Sequence, residues 1–157
     1  MPISRSETEY PPLAGDPDFF SLLTGSYARL LGTPLAPVDS GPGWLYREAP
    51  FVLLAHNGEP DPRFIYANLA AQACFGYSWN EFIGLQSRRS ADASAQAERQ
   101  RLLDAVSQTG FVCDYRGVRV TKSGRHFMIA GGIVWQLLDA AGVLHGQAAT
   151  FSSWLDV

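Results

Sequence analysis

Arg88 and Arg89 stand side by side in GLQSRRS, residues 84–90. A guanidinium fork suits a carboxylate or another anion, so the pair either meets a charged ligand at the mouth of a pocket or is solvated surface. His56 ends the apolar run PFVLLAHN in phase with Val52 and Leu54. It is either a polar handle inside a pocket or a satisfied core or edge histidine. Gln147 sits in GQAAT, where small neighbours leave room for a ligand or for the close approach of a helix. Asn68 carries an amide able to grip a ligand, yet it also stands where a helix N-cap belongs. Around these polar groups, Tyr66, Phe75, Trp79, Phe82, Phe127 and Trp135 can line a cavity or form plain core.

Catalysis has no comparable signature. The chain lacks a Gly-x-Ser-x-Gly elbow, a His-Glu-x-x-His pair, a P-loop and a Gly-x-Gly-x-x-Gly fingerprint. Asp114 and Glu48 are a conceivable carboxylate pair that nothing in the sequence brings together. Cys74 and Cys113 match no metal or redox spacing and read as buried small apolar residues. The net charge of −3 and the absence of a concentrated basic face exclude a nucleic-acid partner. No leader-like apolar stretch or bilayer-length run is present, so the expectation is a cytoplasmic protein without a membrane partner.

Chemistry needs scaffolding, and 157 residues make one domain with a core of its own. Residues 1–15 are polar and Pro-rich and read as an irregular tail. Residues 16–43 read as a helix and linker. Asp16 is the N-cap, Pro17 the first helical residue, and Gly32 with Pro34 the stop. This helix covers one face of a sheet or pairs with a copy of itself. Residues 44–157 then form the main domain. PFVLLAHN and FIYAN are strands, Asn68 caps a short helix closed by Gly76, and Ser78 with Glu81 forms a capping box for another. A wet helix spans about Asp92 to Gln108. Two hairpins follow, turning at Lys122–Arg125 and Asp139–Gly142. Phe127, Ile129, Ile133, Trp135 and Leu137 share odd positions, which predicts one face buried along the whole strand. A parity change at Arg116-Gly117 predicts a bulge in the strand before it. Helices segregated between strand pairs give an α+β class with one antiparallel sheet of about five strands.

FIYANLAAQACFGYSWNEFIG, DYRGVRVTKSGRHF and HGQAATFSSW together resemble a PAS-type domain, and more narrowly the PAS-like MEKHLA family. With PFVLLAHN the resemblance covers Pro50 to Trp154. It implies a five-stranded antiparallel sheet with short helices clasped over one face, and a space between them for a cofactor, a metabolite or side chains alone. Plant members carry the module behind a homeodomain and leucine zipper, and that DNA-binding role is not carried over. In the light-oxygen-voltage branch a reactive cysteine follows the Glu-x-x-Gly phrase, where this chain has Ser87. Arg119 and Ile129 stand where that branch places flavin-reading amides. The expectation is therefore no flavin. It is also no haem, since His56, His126 and His145 make poor axial ligands, and no metal. The functional expectation is a non-catalytic sensor of a small, largely apolar ligand, or an association module, as a homodimer with an unknown protein partner. An enzyme using the same cavity, or an interaction domain with a filled core, stands as the alternative.

Overall fold

The structure, a computed structural model, describes residues 11–157. Most of the expected tail, residues 1–10, thus lies outside the described residues. Residues 11–15 form a turn in which the Ala14 and Gly15 amides donate to the Pro11 carbonyl, and Ala14 is buried.

Helix α1 (Pro17–Leu31) begins and ends where its capping residues dictate. The Asp16 carboxylate accepts from the Asp18 amide, and Gly32 closes the helix at φ 75°. Its buried residues Phe19, Leu23 and Tyr27 recur every four positions, and they lie on a sheet of the same chain. A second short helix, α2 (Pro42–Arg47), falls partly in the expected linker. Pro42 after Gly41 is its start signal.

The strands are β1 (Val52–Asn57), β2 (Phe64–Ala67), β3 (Phe111–Val120), β4 (His126–Leu138), β5 (Leu144–Phe151) and β6 (Ser153–Asp156). All pairings are antiparallel, in the order β2-β1-β5-β4-β3, with β6 also on β4. Ile133 faces Thr150 and Ala130 faces Ser153, so β6 continues the register of β5 along β4. Six strands therefore occupy five lanes. Between β2 and β3 lie α3 (Leu69–Phe75), α4 (Trp79–Phe82), two 3-10 turns (Ser87–Ser90, Ala93–Ala95) and α5 (Gln96–Thr109). The Ser78–Glu81 capping box is present in full.

Both faces of the sheet are covered, and β1 shows how. Val52 and Leu54 point into an inner core with α3, α4 and α5, while Leu53 and Ala55 point into an outer core with α1 and α2. The single-face reading of β4 does not survive. Phe127 and Ile129 face the inner core, but Trp135 and Leu137 face the outer one, and Val134 takes the inner side. Gly131 causes the switch. At φ 67° it holds an extra residue opposite the Tyr115–Gly117 step of β3, which flips the alternation. A compensating bulge in β3 lies between Val112 and Tyr115, where Asp114 has φ 54°. These bulges leave Cys113 exposed, against expectation, and turn Tyr115 and Arg119 inward while Val118 and Val120 stay half-buried. Cys74 is buried, and both cysteines are free.

Candidate ligand cavity between sheet and helices

Several sequence candidates prove to be construction. Asn68 spends its whole amide on the backbone: Oδ1 accepts from Ala71 N (3.0 Å) and Leu53 N (3.1 Å), and Nδ2 donates to Leu45 O (3.2 Å) and Phe51 O (3.0 Å). It caps α3 and ties that helix to β1 and α2. Tyr66 and Trp79 pack edge to face at 5.9 Å and meet Tyr46 in the outer core. Trp135 lies there too, 4.9 Å from the Tyr27 ring, with its indole N–H donated to Ser26 Oγ at 3.2 Å. Strand alternation sends Tyr66, and the Gly131 switch sends Trp135, away from the inner side, while Trp79 stands on the first turn of α4 against them.

The inner side holds a cavity of about 60 Å³. Of the sequence candidates, His56, Phe75 and Gln147 line it; Phe82 and Phe127 back the Phe75 ring at 5.5 Å and 5.2 Å. Arg88 lies outside, half-exposed in an adjoining cleft and paired with Asp61 at 3.3 Å. Most of the wall is apolar: Leu54, Phe64, Leu102, Ile129 and Val134 contribute, with Ala149 of β5 leaving the space. Ala149 thus faces the void, while Ala148 turns to the outer core.

Sequence reasoning missed the polar lining. Arg99 shares a face of α5 with Leu102 and Val106, at spacings of three and four, and is buried with them. That spacing was the available signal. Its guanidinium donates closely to Ser87 Oγ, so the serine orients an arginine. Burial, and the neighbouring Arg119, pull the Arg99 pKa down. Arg119 points inward from β3. Its Nη2 donates to the Tyr115 hydroxyl at 2.8 Å, and Nη1 reaches Glu98 at 3.4 Å. Burial raises the Tyr115 phenol well above its ordinary range. Gly117 makes room for that phenol: a Cβ there would stand 2.0 Å from the Tyr115 oxygen.

His56 Nδ1 lies 2.9 Å from the Asn57 carbonyl, which only accepts, so the neutral ring donates there and keeps Nε2 as an acceptor. Burial lowers its pKa, and Arg99 adds to the effect. Gln147 Nε2 reaches Leu103 O and Ser107 Oγ, each at 3.4 Å, while Oε1 is buried without a donor. His126 pairs closely with Asp92, and His145 with Asp139 at 2.9 Å, both partly exposed and outside the cavity. No cluster of three or more potential metal ligands occurs among the described residues. No helix among them is long and apolar enough to cross a membrane.

Known structures share this arrangement. A PAS domain from Colwellia psychrerythraea superposes with a TM-score of 0.62 at 13% identity, covering 73% of this chain and 92% of its own. A fungal light-oxygen-voltage photoreceptor domain gives a TM-score of 0.57 at 23% identity over 86% and 91% of the two chains. A light-oxygen-voltage domain studied with a flavin analogue gives 0.54 at 16% over 68% and 76%. At these identities the likeness shows the fold. Comparison with curated proteins returns no match. Residues 17–156 match the MEKHLA domain, and with the PAS-like sheet and clasp in place, this chain belongs to the MEKHLA family.

Proposed function

We propose that this domain senses a small molecule held between its sheet and its clasp helices, and that it does so without catalysis. The observation that carries the reading is the apolar cavity under Ala149 of β5, with the buried, unpartnered Gln147 Oε1 on its rim. A packed core would close the space, and a buried acceptor without a donor is costly unless something supplies one. The conceivable acid/base pair has no cavity to share: Asp114 is exposed at the β3 bulge and Glu48 at the end of α2. The light-oxygen-voltage neighbours make flavin the chromophore to test against the expectation of none. A volume near 60 Å³ holds only a few waters, so a tricyclic ring would require the clasp to open.

Purified protein should give a native mass above its denatured mass, or a thermal shift with a fragment library, and no visible absorption band. A flavin or haem band would overturn the cofactor part. An apo mass with no fragment hit would sink the sensor reading in favour of a filled-core interaction module. Association with another chain is a second reading, supported by Trp154, Leu155 and Val157 exposed on and beside β6. Light scattering that finds only monomer at high concentration would remove the homodimer.

A further inference from the structure

Two voids meet at one ring of side chains. The inner is the apolar cavity; the outer is a polar cleft of about 390 Å³ whose walls include Arg88, Gln96, Gln100 and Asp104. His56, Arg99, Leu103 and Gln147 line both. A molecule lying across this threshold keeps an apolar part inside and a polar part at the ring.

The ring atoms select that polar part. Arg99 is 7% exposed, donates to the Ser87 hydroxyl, and has no carboxylate partner among the described residues. The adjacent Arg119 has Glu98. Asp61 acts on Arg99 only from a distance, and its oxygens are engaged by Arg88 at 3.3 Å and Gln86 at 2.7 Å. A guanidinium does not shed its proton, so a buried one short of counter-charge is relieved by an incoming anion. Glu59, Asp61 and Asp104 line the outer cleft and disfavour an anion there, which leaves the ring itself. Gln147 adds a second requirement. Leu103 O can only accept, so Nε2 must face it, and Oε1 is the atom left wanting an N–H or O–H.

We infer that the cavity takes a small amphiphilic carboxylate: a short alkyl body inside, its carboxylate on Arg99, and a hydroxyl or N–H donor against Gln147. The inference rests on the small-molecule reading above and narrows its chemistry.

The test is calorimetric titration of the full chain with matched pairs of short-chain alkyl carboxylic acids and their primary amides, hydroxylated and not. The acids should bind about tenfold or more tighter than the amides. Arg99→Gln should abolish that preference, while Arg116→Gln, an exposed charge deletion on β3, should keep it. Should Arg99→Gln fail to fold, as judged by circular dichroism, Arg99→Lys keeps the charge without the fork and should lose only part of the preference. Amides that bind as well as acids would overturn the carboxylate and leave the sensor cavity standing. Silence from every compound of both kinds would overturn both. Gln147→Leu should weaken hydroxylated acids selectively, and an equal loss for all acids would remove the donor requirement.

Discussion

The two faces of the sheet are built to opposite specifications. On the outer face, Tyr27, Tyr46, Tyr66, Trp79 and Trp135 interlock with Leu23, Leu45, Leu53 and Leu137 against α1 and α2. On the inner face, α3, α4 and α5 also pack on the sheet but leave a gap beside it, and buried arginines, a histidine and a glutamine reach that gap. Close packing is what stability selects, because each void forfeits dispersion contacts. Each face keeps a buried polar atom without a partner, the Tyr66 hydroxyl on the outer and Gln147 Oε1 on the inner. It is therefore the void, with arginine, histidine and glutamine at its edge, that marks the inner face as one where stability was not the sole requirement. The contrast locates the site more sharply than any single residue does.

Deleting the outer wall should show the largest effect. Trp135→Ala removes a fully buried ring and the Ser26 bond, and should lower unfolding free energy by about 3–5 kcal/mol in a urea melt. A loss under about 1 kcal/mol would mean that the two faces do not differ in packing. Asn68→Ala should follow at about 2–3 kcal/mol, since it strands backbone groups of β1, α2 and α3 together.

Adding volume should separate the faces by sign. Ala55→Val, on the packed outer face, should cost about 1–3 kcal/mol by overpacking. Ala149→Val projects a methyl pair into the cavity and should be neutral or stabilising, while weakening any fragment that the cavity binds. Equal penalties at the two alanines would refute the contrast.

Acid should act through His56. Its folded pKa is depressed, so the folded chain holds fewer protons than the unfolded one. Its contribution is complete above the ordinary histidine pKa of about 6.5 and declines as pH falls from there toward the folded value. His56→Gln should flatten that part of the stability profile, and an unchanged slope would clear His56 of the effect. The smallest perturbation is chemical labelling. Exposed Cys113 should react with a maleimide in the native state; Cys74, its thiol pushed up to about 12 by burial, should react only after unfolding. Two fast thiols in native protein would show that the clasp opens.

Local signals written within a few residues carried far in this chain. The caps at Asp16, Asn68 and Ser78, the stops at Gly32 and Gly76, and the two hairpin turns lie where the residues put them, because a cap or turn satisfies its hydrogen bonds within one turn of chain. The five antiparallel lanes followed from those elements and their order. Only the folded molecule decided which side of the sheet each strand residue serves. One extra residue at Gly131 sends Trp135 to α1, and the Asp114 bulge puts Arg119 inside and Cys113 outside; the parity change at Arg116-Gly117 marked an irregularity in β3 but neither its position at Asp114 nor the extra residue on β4. The site was legible only in part. His56 and Gln147 stood out as polar groups on apolar or small-residue strands, whereas Ser87 and Arg99 read alone as ordinary turn and helix residues until the sheet and clasp enclose a common space.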